Sequence, residues 1–484
     1  MLFSFKIKNP TLVGLISQLS GDKNTTKTIE TCLISLTTQG HNEWKEGGKM
    51  KRLHIGDLCK IIGIVSAFAL LLATESPLYA MEGIPLGPGF QCPNDDIDRW
   101  PFGWSTGGTK GAEDIDRNSD GTFTGNPNVV CMRLGATDGY AKMPDGTNHY
   151  TFGFVDITGV PENEIVNYKF QAHLPAPTIH LRQGQVLFLT LTNLGFHVRP
   201  DLDDSHTIHF HGFPHAMAAY DGVPENSFAI PASRDFTYFY KINAPGTYPY
   251  HCHFEPVEHI QLGMIGIIVV YPEQDTETAK YAYNDSGLAP DTRYDVTYEL
   301  LIDELDADKH WNMENIQEGT TLWHTYYPNY HILNGRAYPE TVLPDDDPIM
   351  MTNAETYGRT NYIAQPSSLI KAKAGQKILL RLVHLGYQTH TLTIPGIPMN
   401  VIGEDARILR GPDGKDLSYR KSTYSIEGGK TADIILDTTG LTSGTYFLYG
   451  RELYSQSGIS GPDRMAGLQY ENRMGMITEI QITP

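Results

Sequence analysis

Short runs of apolar and β-branched residues recur along the chain from about Asn167, separated by Gly, Pro and Asn. Runs of this length and spacing predict the strands of a small β-sandwich. Because helical periodicity is scarce, we expect an all-β protein. The predicted strands of the first half are Ile179–Leu181, Val186–Thr192, Thr207–Phe210, Phe236–Ile242 and Ile265–Tyr271.

The second half of the chain repeats this plan after an acidic, polar connection at Glu273–Asp291. An internal duplication of one β-sandwich is the simplest explanation. The corresponding segments are Thr178–Gly184 and Ser368–Gly375, Gln185–Thr192 and Lys377–His384, Gly246–Tyr248 and Gly444–Tyr446, and Gly263–Ile265 and Gly475–Ile477. We predict a first sandwich over residues 131–275 and a second over residues 290–484.

The N-terminal region has the pattern of a secretory signal. Lys51 and Arg52 precede the apolar run Ile61–Ala73, and residues 78–80 match a cleavage site. The run is too short to span a bilayer, although an uncleaved membrane anchor is the alternative. We therefore expect residues 1–80 to be an upstream segment and signal peptide, and the mature chain to be periplasmic or extracellular without a stable membrane span.

Met50 is a candidate for the true start of the chain. The residues before it look unlike any folded domain, and Glu46–Lys49 matches the translation of a purine-rich ribosome-binding site. This start remains a hypothesis that mapping of the translation start would test.

Residues 81–130 are rich in Gly, Asp and Asn and predict an irregular N-terminal arm. Asp116, Asn118, Asp120 and Gly121 match the opening of a calcium-binding loop, but Pro127 stands where such a loop needs a bidentate Glu. We interpret the segment as a solvated turn, with calcium as the alternative. The formal net charge of −19 favours solubility and argues against a nucleic-acid partner.

The segment His251-Cys252-His253, followed by His259 and Met264, offers a thiolate, three imidazoles and a thioether. Successive side chains of a strand point to opposite faces. Cys252 is therefore expected on one face, with His251 and His253 on the other, so that one copper can bind on each side.

A second group of histidines lies upstream, at His206, His209 and His211. By the same alternation, His209 and His211 share a face, and His206 lies on the opposite one. Cys, two His and an axial Met are the ligands of a blue-copper centre, whereas imidazole-only sites suit copper that binds oxygen. The predicted ligands are His206, Cys252, His259 and Met264 for the first site, and His209, His211, His251 and His253 for the second.

Two alternatives to copper remain: zinc in its place, and a purely structural role for these residues. Removal of the signal leaves Cys92, Cys131 and Cys252. Cys92–Cys131 is the only disulfide that keeps the Cys252 thiolate available, and two buried free thiols are the alternative. His215 is interpreted as a surface or outer-shell residue.

The pattern His206-x-x-His209-x-His211-Gly212, with Tyr250-His251-Cys252-His253, resembles the multicopper oxidases, and Asp221–Pro224 is similar to their first-domain pattern. The resemblance covers roughly residues 175–484. It implies two tandem cupredoxin-like (plastocyanin-like) Greek-key sandwiches. It also implies type 1 ligands at His206, Cys252, His259 and Met264, a type 2 ligand at His209, and type 3 ligands at His211, His251 and His253.

The implied function is that of a laccase-like copper oxidoreductase. A reducing substrate or small electron-carrier protein would deliver electrons to type 1 copper, and oxygen would accept them. Glu255 and Glu258 are candidates to relay protons nearby, although charged loop residues are usually simply solvated. Copper nitrite reductase is one alternative, and an electron-transfer or copper-binding protein with a type 1 site alone is another.

The sequence departs from the family pattern in two places. Five residues, Phe254–Glu258, separate His253 from His259, where laccases have three. In the second half, Gln388–His390 resembles the start of a histidine cluster, but the next ligand positions carry Thr393 and Pro395, and Tyr449–Arg451 replaces His-Cys-His. We therefore expect a metal-free second sandwich, and a copper cluster either shared between subunits of a homo-oligomer, with a trimer favoured over a two-fold arrangement, or incomplete.

Overall fold

The computed structural model describes residues 43–46, 49–52, 128–143, 145–161, 163–214, 216–345, 347, 365–452 and 475–484. The predicted calcium loop, Cys92, His215 and the apolar run of the predicted signal lie outside these residues, so those predictions stay predictions. Strands β1 (Glu43–Glu46) and β2 (Lys49–Arg52) form an antiparallel hairpin in a unit of their own.

The first sandwich consists of two four-stranded sheets. One has the strand order β4-β3-β6-β8 and the other β5-β10-β9-β7. Their strands are β3 (Val129–Lys142), β4 (Asn148–Asp156), β5 (Ile179–Arg182), β6 (Val186–Asn193), β7 (His209–Phe210), β8 (Asp235–Lys241), β9 (Gly246–His251) and β10 (Ile265–Tyr271). Helix α1 (Pro256–Gln261) lies between β9 and β10.

The second sandwich also has two sheets, of seven and five strands, preceded by the short pair β11 (Lys280–Tyr281) and β12 (Arg293–Tyr294). The seven-stranded sheet follows the order β14-β13-β16-β22-β18-β19, with β20 paired to β18, and the other follows β15-β24-β23-β17-β21. The strands are β13 (Val296–Leu305), β14 (Tyr330–Leu333), β15 (Ile370–Lys373), β16 (Lys377–His384), β17 (His390–Thr393), β18 (Met399–Glu404), β19 (Arg407–Ile408), β20 (Tyr419–Lys421), β21 (Thr423–Ile426), β22 (Lys430–Asp437), β23 (Gly444–Gly450) and β24 (Ile477–Thr483). Helix α2 (Ala307–Glu314) follows β13.

The all-β prediction is confirmed, and the five strands predicted for the first half all exist with small shifts at their ends. Two elements differ from the prediction. Strands β3 and β4 lie before the region where strands were expected. The pattern did not predict β3 because this strand is buried on both faces along most of its length and shows no polar alternation. Helix α1 replaces the loop expected between His253 and His259, with Pro256 at its first position.

The two sandwiches pack against each other through apolar side chains of β10 and of the seven-stranded sheet. Ile265, Ile267 and Val269 share one buried cluster with Leu301 and Val383. The strand alternation of β10 explains this, because its even-numbered neighbours Ile268 and Val270 face the first core instead.

A buried ion pair of the second sandwich contacts the first sandwich beside this cluster. The Arg381 guanidinium lies 3.5 Å from the Asp433 carboxylate, and both side chains are almost completely buried. The Thr247 hydroxyl of the first sandwich donates to Asp433 at 2.6 Å and accepts from Arg381 at 3.0 Å. Removal of either charged partner would leave the other buried without compensation.

Candidate metal centres

Strands β7 and β9 form the ribbon that positions both predicted ligand sets. His209 pairs with His251, and Phe210 pairs with Tyr250, in antiparallel register. Because side chains alternate along each strand, Phe210 and Tyr250 enter the apolar core while the two histidines share the other face. Cys252 follows the last residue of β9 and points back into the core, where it is fully buried.

The Cys252 thiol lies between two imidazoles. Its Sγ is 3.2 Å from Nδ1 of His259 and 3.9 Å from Nδ1 of His206, and all three side chains have no exposed surface. Cys252 is a free thiol. The backbone N–H of Thr207 points at the sulfur from 3.4 Å. Cys252, His206 and His259 offer one sulfur and two nitrogen donors to a single ion, and we call these three residues the thiolate cluster.

Helix α1 and the start of β10 complete the surroundings of the thiolate cluster. The helix brings His259 to face Cys252. Met264 is fully buried in the same core, and its carbonyl accepts the N–H of Cys252 at 3.1 Å. Its N–H donates in turn to the carbonyl of His259 at 2.9 Å. Backbone hydrogen bonds therefore hold Met264 next to Cys252 and His259.

The two imidazoles of the thiolate cluster differ in their electrostatics. Burial lowers the pKa of His206 well below its ordinary value, and the neighbouring His259 adds to the effect. Burial opposes protonation of His259 as well, but the Cys252 sulfur and the Asp204 carboxylate, 3.7 Å from Nε2, raise its pKa to about 10. Without a metal, His259 is therefore held as an imidazolium beside the sulfur.

His209, His211 and His251 form a second group on the other face of the ribbon, which we call the histidine cluster. Nδ1 of His211 lies 3.2 Å from Nε2 of His251. The ring of His253 lies close by, with its centroid 5.0 Å from that of His209 and 5.6 Å from that of His251. The structure thus brings three of the four predicted imidazoles to one point and places the ring of His253 beside them, on the side opposite Cys252.

Hydrogen bonds and burial prepare these rings to bind a cation. Nδ1 of His209 lies 2.6 Å from the carbonyl of Asp221, and Nδ1 of His251 lies 2.8 Å from the carbonyl of Cys252. Burial lowers the pKa of His209 and His211, and it lowers that of His251 to about 3. The rings are therefore neutral at physiological pH, which is the form that ligates metals.

A cavity of about 480 Å³ opens next to the histidine cluster, between the two sandwiches. His211 and Pro249 line one side, and Asp405, Gly429 and Lys430 of the second sandwich line the other. The described residues of the second sandwich thus bring carboxylates and a lysine to this face, and no histidine to the wall of the cavity.

The second sandwich contains a cluster that the sequence reasoning missed. Glu304, His384 and His390 each place one potential donor atom within 4.8 Å of the others, and all three are fully buried. Although burial alone would raise it, the hydrogen bond with His390 holds the pKa of Glu304 below its ordinary value. The signal that could have found the cluster is the pair of histidines at the end of β16 and the start of β17, but Glu304 lies far away in sequence.

Three comparisons with known proteins bear on these sites. Residues 155–275 match the family model described as multicopper oxidase, and this range holds both clusters of the first sandwich. Copper resistance protein A of Escherichia coli is 24% identical over 304 residues, which cover 59% of this chain and 45% of that protein. Copper-containing nitrite reductase of Neisseria meningitidis is 31% identical over 108 residues, 22% of this chain and 25% of that protein.

Among solved structures, the blue copper oxidase from Nitrosomonas europaea superimposes with a TM-score of 0.50 at 21% identity, covering 73% of this chain and 86% of that one. The predicted resemblance and the cupredoxin-like fold are thereby confirmed, with the match to the multicopper oxidase family model confined to the first sandwich. The chain spans less than half the length of the copper resistance protein that it matches. Among the described residues, no helix has the length and apolar character needed to cross a membrane.

Proposed function

We propose that the protein is an exported multicopper oxidase, in which a reducing substrate is oxidised one electron at a time and oxygen is the final acceptor. The observation that carries this proposal is the ribbon at Cys252. The sulfur of Cys252 belongs to the thiolate cluster, and the backbone carbonyl of Cys252 accepts a hydrogen bond from the ring of His251 in the histidine cluster. One residue therefore joins a site suited to electron entry to a site suited to a small acceptor.

The donor sets fit copper at both places. A thiolate with two imidazoles suits an ion that cycles between a soft reduced and a harder oxidised state, and backbone hydrogen bonds hold the buried Met264 next to two of these residues. Zinc fits the thiolate cluster less well, since it gains nothing from Met264. Copper bound in these two places supplies one-electron transfer at the sulfur and oxygen reduction among the imidazoles. His206, Cys252, His259 and Met264 would hold the first ion, and His209, His211, His251 and His253 the second group.

The side chains around the thiolate cluster have separable roles. The Thr207 N–H orients the sulfur, and the Thr207 hydroxyl accepts the N–H of His253 at 2.8 Å, which fixes the end of the ribbon. Burial raises the pKa of Glu258 to about 7, so this carboxyl exchanges protons near neutral pH. Glu258 therefore suits a proton relay, whereas Glu255 is exposed and solvated.

The histidine cluster has an open side. His209 keeps 14% of its side chain exposed, and His253 is half-buried. Since the described residues of the second sandwich place no histidine at the cavity, we propose that another subunit supplies the missing ligands, as in a trimer. Analytical ultracentrifugation with and without copper tests this part: a monomer that consumes oxygen would contradict it.

The decisive experiment combines metal analysis, electron paramagnetic resonance and oxygen uptake on the purified mature chain. Cuprous ion is the first donor to test, because a relative is a copper resistance protein, with ferrous ion and a phenol beside it. His209→Ala and His253→Ala should abolish oxygen uptake while the blue absorption persists. His324→Ala, at an exposed histidine, is the matched control and should leave uptake unchanged. Oxygen uptake that survives in both His209→Ala and His253→Ala would refute the oxidase proposal.

Nitrite reduction is the second candidate, and the local 31% identity to a nitrite reductase favours it. That similarity reaches only a quarter of the reductase, and in the second sandwich Thr393, Pro395 and Arg451 stand where a histidine would be needed. Nitrite loss under anaerobic conditions, without oxygen uptake in air, would support this candidate. A single copper per chain with neither activity would support a protein that only transfers electrons.

A further inference from the structure

We propose that the second sandwich binds one divalent cation of borderline hardness, with zinc the best match, between Glu304, His384 and His390. This site lies outside the two clusters of the first sandwich and does not depend on the oxidase activity proposed above. It also reverses the expectation that the second sandwich is free of metal.

The three side chains converge from strand ends. Glu304 is the next-to-last residue of β13, His384 is the last residue of β16, and His390 is the first residue of β17. Nε2 of His390 lies 2.9 Å from Oε2 of Glu304. All three are fully buried, and the ring of His384 lies 5.1 Å from that of His390. Rigid elements therefore hold a carboxylate and two imidazoles around one small volume.

The hydrogen bonding of His384 calls for an electron-pair acceptor. Its Nδ1 lies 2.9 Å from the carbonyl oxygen of Ile302, and its Nε2 lies 2.5 Å from that of Gln388. A neutral imidazole has one N–H, and with that proton on Nε2 the ring donates to Gln388 while Nδ1 accepts the N–H of Gly386 at 3.3 Å. The lone pair of Nδ1 then still lies 2.9 Å from the carbonyl oxygen of Ile302. A bound cation would relieve this contact, because both atoms can donate to it.

His390 adds an independent observation. Its Nδ1 is buried and has no hydrogen-bond partner among the described residues, while its Nε2 faces the carboxylate. A buried imidazole nitrogen without a partner loses the solvation that it would have in water. Either ring nitrogen can serve as a metal ligand, and coordination satisfies such a ring.

The surroundings fix the carboxylate. Oε1 of Glu304 accepts the backbone N–H of Gln388 at 2.7 Å and also that of Tyr387. A Cβ at Gly386 would lie 2.1 Å from Oε2, so glycine is what allows the carboxylate to occupy this place. Outer-shell hydrogen bonds of this kind orient metal ligands. They leave Oε2 directed toward the histidines.

The ligand types select the ion. Two imidazoles and a carboxylate, with no thiolate or thioether among them, suit zinc or another divalent ion better than cuprous copper. Three protein ligands leave a position for the carbonyl of Gln388 or for water. The opposing interpretation is a metal-free network in which neutral His384 donates to Gln388 and accepts the N–H of Gly386.

Zinc titration of the copper-free full chain, with a chromophoric chelator as competitor, distinguishes the two. Glu304→Gln and His390→Gln should each bind about one zinc per chain fewer than the wild type. His324→Gln, the same replacement at an exposed histidine, should bind as much as the wild type. Identical stoichiometry in all four proteins overturns the proposal. Blue absorption after copper loading of Glu304→Gln checks that the first sandwich is intact.

X-ray absorption on the zinc-loaded Cys252→Ser variant keeps the proposal testable if the second-sandwich variants fail to fold. Cys252→Ser removes the only described sulfur ligand that binds zinc well, so its zinc spectrum reports imidazole and oxygen donors. His209→Ala and His251→Ala are then added to this variant. If the imidazole signal disappears and no ordered zinc is left, only the histidine cluster binds zinc, and the proposal is overturned. A remaining zinc with two imidazoles and oxygen supports it if the signal persists when His206→Ala is added, because His206 and His259 could otherwise supply the same ligands.

Discussion

The two sandwiches share a strand plan but place different chemistry at corresponding positions. In the first, His206 lies just before the short strand β7 and meets Cys252. In the second, His390 begins β17 and meets Glu304 instead. The thiolate is absent there because Tyr449–Arg451 replaces His251–His253. The same framework therefore serves a soft donor set in one half and a harder one in the other, which shows that ligand identity, not fold, decides the chemistry.

The interiors differ in the same sense. Around the thiolate cluster the core is aromatic, with Phe152 stacked on Phe196 at 4.1 Å and Phe210 stacked on Tyr240 at 4.2 Å. The core of the second sandwich is mainly aliphatic. Aromatic pairs of this kind stabilise a core beyond the area that they bury. We infer that this packing holds the ligands of the thiolate cluster in place whether or not the ion is present.

Replacement of the sulfur should have the largest effect on the comparison. Cys252→Ser should abolish the blue absorption and reduce oxygen uptake to background, because the hydroxyl is a much poorer ligand than the thiolate. Copper in the histidine cluster should remain, since its ligands lie on the other face of the ribbon. Absorption and paramagnetic resonance measure both. An unchanged blue band would contradict the assignment of the thiolate cluster.

Loss of the buried ion pair in the second sandwich should have the next largest effect. Arg381→Met leaves Asp433 buried without its guanidinium, and we expect the free energy of unfolding to fall by about 3–5 kcal/mol. Arg293→Met, which breaks a well-exposed pair with Asp291, should change the free energy of unfolding far less, because solvent screens the pair. Urea unfolding monitored by fluorescence compares the two. Equal losses would show that the stability of the protein does not depend on this buried pair.

A smaller, local effect is expected at Gly222, which belongs to the Asp221–Pro224 motif. Its φ is +72°, and a Cβ there would lie 2.1 Å from the carbonyl oxygen of Ile208. Gly222→Ala should therefore cost about 1–3 kcal/mol of stability. It should also weaken copper binding in the histidine cluster, because the Asp221 carbonyl holds His209. Gly184→Ala also has a positive φ but open space around it, and it should cost less and leave copper binding unchanged.

Local patterns predicted what depends on neighbours in sequence. The alternation rule separated Cys252 from His251 and His253, and the duplication predicted the second sandwich. Long-range features escaped: Glu304 joins His390 across 86 positions, and no pattern links them. Helix α1 was missed because six residues show too little periodicity for a helix to be recognised. Strand β3 was missed because burial on both faces removes the alternation.

The smallest effect should come from the thioether. Met264→Leu conserves volume in a fully buried position, so the cost to stability should stay below about 1.5 kcal/mol. The blue band should persist, since Cys252 and both imidazoles remain. The reduction potential of the blue centre should rise, because loss of a weak axial donor disfavours the oxidised ion. Redox titration followed by absorption measures the shift, with Met132→Leu, at a buried methionine of the same core but on β3, as the matched control. A reduction potential that falls, or that moves equally in both variants, would show that Met264 is not a ligand. The sulfur of Cys252 would then be the one soft ligand that distinguishes the first sandwich from the second.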